Sequence, residues 1–317
     1  MLQTTTQSRV SRPSRTAPRV SWETRRTIVV SVAPCADSVT ALVRAHDLAR
    51  VIGARLRLVQ AVPESVQVAS RRRIGPSLVA VPWVLEEARV RLRAWGESVL
   101  HRTLEKDQAT VRVGDPIDVV AHAAEELDAI LVVIGAHAVG SIEAGRWTSL
   151  VRRARRPLLV ARTPRDPHEI IAATDFTDQD LPTLVHADTF ARLLSASLTL
   201  VHNIPPGKRG VATVLGTPVP EGVAYQFVAA RYSRLSGFLR AHQPSLGGDA
   251  LIARQDDAVS GILRGARRRD CDLIVVGAHG PMTRRTGRRP HTADRLITVA
   301  KRSVLVVPMG PKRRTAP

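Results

Sequence analysis

The chain has 317 residues, 44% of them hydrophobic, which is material for about two domains at ~100–200 residues each. No apolar run approaches the ~18 residues needed to cross a bilayer, and the N-terminus lacks the apolar core of a secretory signal, so no membrane insertion is expected. The two cysteines, Cys35 and Cys271, supply neither a disulfide framework nor a metal spacing, which suits a cytoplasmic location. The net charge is +19 and lysine occurs only at 106, 208, 301 and 312, so arginine carries the excess.

Residues 1–25 are rich in Ser, Thr, Arg and Pro, with Glu23 the only acid. Such a segment cannot bury enough apolar surface to offset its ordering entropy, and a disordered basic tail is expected. Thr27–Val32 reads as an apolar strand. Asp37 or Ser38 can cap the helix that follows. In that helix Val39, Leu42, Val43, His46 and Ala49 recur at helical spacing until Gly53 stops it. Arg55–Val59 is a second strand, Pro63–Val81 a loop, and Glu86–Leu104 a helix with Ala88, Leu92, Trp95 and Val99 on one face. Val111–Val113 is a third strand. Pro116–Leu127 is a helix with proline at an allowed first-turn position. Ala129–Ile134 is a fourth strand, Thr148–Ala154 a last helix and Pro157–Ala161 a fifth strand.

The same order then repeats. Shifted by 142 residues, Ala49–Val59 falls on Ala191–Val201 and Val132–His137 on Ile274–His279; Leu158-Leu159-Val160 matches Val304-Leu305-Val306 at a shift of 146. Two copies of one domain are therefore expected at 26–162 and 169–309, joined by a linker at 163–168 and followed by a basic tail at 310–317. The second copy opens with the strand Ile170–Ala173 and contains a Pro/Gly-rich loop at Pro205–Gly222. Strands apolar on both faces, alternating with helices, imply a parallel sheet covered on both sides. Right-handed crossovers wind it in both directions. The fold class is α/β: two tandem doubly wound, Rossmann-like domains, each a five-stranded parallel sheet with helices on both faces, stacked about a pseudo-twofold axis.

Ligands of such sheets bind beyond the carboxyl ends of the strands, at the switch point. In repeat two this brings together Ala173-Thr174-Asp175 after strand one, Asn203 at the end of strand two, Gly277, His279 and Gly280 after strand four, and His291-Thr292 before the last helix. An Asp at a strand end can accept a hydrogen bond from an adenine amino group or a ribose hydroxyl. Glycines let backbone N–H groups approach phosphate, and a hydroxyl at a helix N-terminus adds a donor. Arg284, Arg285, Arg288 and Arg289 could neutralise phosphate charge. Asp175 would equally serve as a helix cap, and the glycines as turn residues.

The Ala-Thr-Asp-Phe-Thr start, the Val-His strand end and the Gly-Ala-His-Gly loop resemble universal stress protein domains across both repeats. The resemblance implies ATP held by Asp175, Gly277 and Gly280. The family's further Gly-Ser/Thr falls here on Pro290-His291, with Thr292 following. Repeat one departs further, with Ala33-Pro34 at the Asp position, Gly135 kept and the second glycine replaced by Ala138. Gly140-Ser141 and Thr148-Ser149 do not stand at the required spacing, so repeat one reads as a degenerate site kept for packing.

No Gly-x-x-x-x-Gly-Lys-Ser/Thr phosphate loop, zinc-protease helix or nucleophile elbow is present. Neither His137 nor His279 has a nucleophile placed with it, so a non-catalytic protein is expected. Three readings stay open. The first is a stress-response protein binding ATP or a related adenine nucleotide in repeat two alone. The second is an interaction module that binds no nucleotide and acts through domain pairing, with homodimerisation open. The third is a protein that binds nucleic acid or another acidic partner through its arginine-rich surface, although the 3% of aromatics leaves little to stack on bases.

Overall fold

The computed structural model describes residues 26–63, 80–142, 144–164, 166–174, 181–203, 211–214, 217–220, 222–226, 229–230, 233, 250–253, 257–278 and 291–308. Both terminal tails expected from the sequence lie outside the described residues. Repeat one runs β1 (Thr27–Ser31), α1 (Val39–Ile52), β2 (Arg55–Val62), α2 (Ala80–Leu100), β3 (Ala109–Val113), α3 (Pro116–Glu126), β4 (Ala129–Gly135), α4 (Ala136–Ser141), α5 (Ala144–Ala154) and β5 (Leu158–Ala161). Repeat two runs β6 (Glu169–Ala173), α6 (Leu181–Leu193), β7 (Ser197–Asn203), β8 (Val211–Val214), β9 (Thr217–Pro220), β10 (Ala250–Ala253), α7 (Ala258–Arg268), β11 (Leu273–Ala278), α8 (Thr292–Val299) and β12 (Ser303–Pro308).

In each repeat five parallel strands take an order in which the fourth crosses to the far side of the first, the doubly wound arrangement read from the sequence. The strands carry apolar residues on both faces. In β4, Leu131 and Val133 enter one core with α1, whereas Val132 and Ile134 enter the other with α3 and α5. Both cores continue through repeat two, one taking α6 and the other α7 and α8.

The pairing of the repeats differs from the stacking expected. The ten main strands form one sheet in the order β10-β7-β6-β11-β12-β5-β4-β1-β2-β3, and only the central β12–β5 pair is antiparallel. The fifth strands each have one bare edge of backbone N–H and C=O groups, and joining them satisfies both edges at once. The ladder matches Leu159 with Leu305, flanked by Val160 with Val304 and Leu158 with Val306. Leu159 and Leu305 are equivalent residues, so the pseudo-twofold axis runs through that pair.

Local chemistry accounts for the element ends. Gly53 caps α1 in the left-handed region, at φ 70° and ψ 33°, donating its N–H to the last carbonyls of that helix. Ser38 does not cap α1 through its side chain, contrary to expectation. A 3-10 turn over Ala36–Ser38 runs into the helix, Ser38 is already helical, and its Oγ accepts the Ala33 N–H at 3.1 Å instead. Asp115 and Asp257 do cap α3 and α7, accepting the N–H groups two and three residues on. The linker is fixed by an ion pair between Asp166 and Arg44, whose guanidinium is buried on α1. The stretch read as a loop at Pro205–Gly222 contains the antiparallel pair β8–β9; its Val-Ala-Thr-Val run has strand character that the surrounding prolines obscured.

Candidate functional site

In repeat two the carboxyl ends of β6, β7 and β11 and the N-termini of α7 and α8 surround a cleft of about 120 Å³. Of the residues predicted for the site, Ala173, Thr174, Asn203, Gly277 and Thr292 line it. His291 stands at the N-cap position of α8, next to Thr292. Asp175, His279 and Gly280 lie outside the described residues, as do the arginines at 284, 285, 288 and 289.

The sequence reading left out His202, which also lines the cleft, and the apolar wall of Val201, Val276, Ala258 and Ile262. The wall was concealed because these positions also carry the strand and helix patterns of the core. Thr174, the residue after β6, is held against β7 by two bonds. The Thr174 N–H donates to the Val201 carbonyl at 3.0 Å. His202 Nδ1 lies 2.7 Å from the Thr174 carbonyl; a carbonyl only accepts, so Nδ1 carries the proton. Asn203 sits directly against α7. A Cβ built on Gly261 would lie 2.2 Å from the Asn203 Oδ1, so only glycine at 261 lets this amide occupy the wall.

α7 and α8 are tied together at the mouth of the cleft. Asp257 caps α7 and pairs with Arg295 of α8 at 3.1 Å. The Ser260 hydroxyl, above all, holds the Asp257 carboxyl below its ordinary value; backbone N–H groups and Arg295 add to the effect. Asp294, also on α8, accepts the backbone N–H of His291 at 3.2 Å and the Thr148 hydroxyl of repeat one. The cleft of repeat two is thus braced from the other repeat.

Repeat one reproduces the frame without the same lining. Its Val32 N–H bonds Val59 as Thr174 bonds Val201, but Gln60 replaces His202, and its Oε1 is buried with no hydrogen-bond partner among the described residues. Gly135 keeps the place of Gly277, but the Asp37 carbonyl stands 3.1 Å from where its Cβ would be. The chain beyond Gly135 coils directly into α4, pinned to α5 by the Trp147 indole N–H, which donates to the Ala138 carbonyl at 3.1 Å. Where repeat two has Thr292, repeat one has Arg146, paired with Asp115 at 2.7 Å. Of the three hydroxyls at the wrong spacing, Ser141 bonds the Ala138 carbonyl within α4, Ser149 bonds the Arg146 carbonyl within α5, and Thr148 is turned toward the seam between the repeats.

The family model of the universal stress protein family matches residues 24–162 and again 167–308. The chain belongs to the universal stress protein family. Its two universal stress domains share their fold with solved structures that span both repeats. A universal stress protein from Archaeoglobus fulgidus DSM 4304 superposes with a TM-score of 0.57 at 13% identity, covering 90% of this chain and 97% of that one. A functionally unknown protein from Pseudomonas aeruginosa PAO1 does so with a TM-score of 0.53 at 17% identity, covering 91% and 94%. No curated protein matches the chain. Among the described residues, no helix is long and apolar enough to cross a membrane.

Proposed function

We propose that repeat two binds an adenine nucleotide, ATP or a close relative, in a non-catalytic cytoplasmic stress-response protein whose repeat one serves as scaffold. The observation that supports this is the convergence of Ala173, Thr174, Asn203, Gly277 and Thr292 on one cleft at the switch point of the sheet. The aliphatic wall suits one face of a purine. His202 and Asn203 offer polar groups at the end of β7, and Thr292 brings a hydroxyl and a helix N-terminus to an anionic tail. A volume of about 120 Å³ is below the roughly 300–1,000 Å³ of clefts that enclose a whole ligand. The base end enters, and the phosphates lie outward over α8.

Calorimetric titration of ATP into the full chain tests the reading. One equivalent of ATP should bind, and both Asp175→Ala and Thr292→Val should weaken it. Absence of heat in the unmodified chain would overturn the reading. The small cleft, together with Pro290-His291 in place of Gly-Ser, supports the second reading, an interaction module without nucleotide; proline there removes a backbone donor.

A further inference from the structure

A larger cavity, about 630 Å³, lies on the seam between the repeats. Repeat one supplies Asp37 and Thr40 around the start of α1, His137 after β4 and Arg162 after β5; repeat two supplies Thr298 and Lys301 at the end of α8. This is a different place from the nucleotide-type cleft. The repeat-one counterparts of the residues lining repeat two's cleft, such as Gln60 for His202 and Arg146 for Thr292, take no part in it, and of the other predicted site residues only His279 has its counterpart here, His137. The cavity exists only because β5 and β12 pair, which brings the C-terminal end of α8 over the ends of β4 and β5.

Its charge balance is positive: two permanent cations, Arg162 and Lys301, face one carboxylate, Asp37, which stands 3.6 Å from His137 Nδ1. Arg162 is the more telling. Its Nη2 donates to the Ile297 carbonyl at 2.5 Å and so satisfies the end of α8. Among the described residues its buried Nη1 makes no hydrogen bond and no carboxylate pairs with the guanidinium. Burial lowers its pKa from the ordinary value, yet an arginine stays charged. A half-buried cation without a counter-ion at hand is an incompletely met electrostatic demand. Pseudo-symmetry does not require it: the counterpart of Arg162 in repeat two is Pro308. Lys301 is exposed at the rim, where a mobile ammonium can close on an incoming anion.

We propose that the seam cavity binds a small oxyanion of the phosphate type, held by Arg162 and Lys301 with His137 and the Thr40 and Thr298 hydroxyls as further donors. The guanidinium fork suits tetrahedral oxyanions, and a partly closed cavity strengthens the attraction over that of an open surface.

Pyrophosphate titrated into the full chain by calorimetry, at fixed ionic strength, tests this. One saturable site is expected, weakened at least tenfold by Lys301→Ala and by His137→Ala, both at exposed positions that leave the fold intact. Arg162→Met should abolish binding, with its melting curve recorded because Arg162 also caps α8. Lys106→Ala removes the same charge elsewhere and should change nothing, and Thr292→Val, aimed at the anion end of the other cleft, should also leave pyrophosphate binding unchanged. No saturable site, binding that survives both exposed variants, or an equal loss with Lys106→Ala would each overturn the proposal. Loss with Thr292→Val would overturn it too, by placing the anion in repeat two.

Discussion

Thr148 of repeat one donates its hydroxyl to the carboxylate of Asp294 in repeat two, and the two residues occupy equivalent positions of the two copies. Their separation of 146 residues also relates Leu159 to Leu305, the central pair of the β5–β12 ladder. A polar contact between helices and a backbone contact between strands therefore mark the same axis.

Thr148 is fully buried and Asp294 is 9% exposed. Thr148→Val keeps the shape and deletes the donor, leaving a carboxylate oxygen facing an apolar group. The expected loss is about 1–3 kcal/mol, the cost of a buried polar group without its partner, read from chemical denaturation. A loss of only a few tenths would mean that solvent reaches Asp294 and that the seam is looser than described.

Gly261→Ala should separate binding from folding. Alanine improves the helix by up to about 1 kcal/mol, while overpacking costs about 1–3 kcal/mol, so a net loss of up to about 2 kcal/mol is expected. The added methyl must displace the Asn203 amide from the cleft wall, since even the Asn203 Cβ would be 2.7 Å away. Nucleotide affinity should fall about tenfold at a temperature where the denaturation curve shows the variant still folded. Unchanged affinity would remove Asn203 from the site.

Stability should fall with acidification in two stages. Burial lowers the pKa of His186 on α6, against a weaker opposing bond to the Pro182 carbonyl; burial and Arg102 lower that of His46 on α1. The unfolded chain takes these protons more readily, so stability declines as pH drops through the ordinary value of 6.5. Asp115 is held low by Arg146, Glu126 by Arg112 and Asp257 by Ser260. Their contribution is present above the unfolded carboxylate range and is lost below about pH 4, as pH falls through the lowered native values; Glu126 is exposed and Asp115 and Asp257 are only half-buried, so the individual effects are small. Denaturation midpoints recorded from pH 7.5 to 3.5 check this, and His186→Gln should shrink the first stage alone.

The two thiols should react unequally. Burial pushes Cys271 up to about 12, and it is fully enclosed, whereas Cys35 is half-buried in the loop after β1. An aromatic disulfide reagent should label one thiol in the native chain and the second only on unfolding. Rapid labelling of both would contradict the packing of β11.

The order of strands and helices was legible because side chains announce it. The apolar run of β4 and the helical spacing of α1 are patterns of burial, and Gly53 marks a backbone conformation that few other residues tolerate. The joining of the two sheets was not legible, since it depends on the backbone edges of β5 and β12, which leave no trace in side-chain type. At the site, Thr174, Asn203, Gly277 and Thr292 could be found because strand ends converge by topology. His202 was passed over because a histidine beside a strand end reads more readily as packed than as a ligand, and its bond to the Thr174 carbonyl becomes visible only in three dimensions. Nothing local in Gly135-Ala136-His137-Ala138 announces the helical turn of α4, which Trp147 pins from a neighbouring helix.

Two separate copies of a single repeat, paired through the same strand, would be bound by identity at the axis. Whatever residue stood there would meet itself, a threonine opposite a threonine or an aspartate opposite an aspartate, and the second of these would set two buried carboxylates against each other. Covalent union of the copies lifts that constraint. An acid can face a hydroxyl across the centre, a histidine can line one cleft while a glutamine fills its counterpart, and a guanidinium can occupy one side of the seam with proline opposite. The continuous ten-stranded sheet is therefore what allows two halves of common design to take up different work.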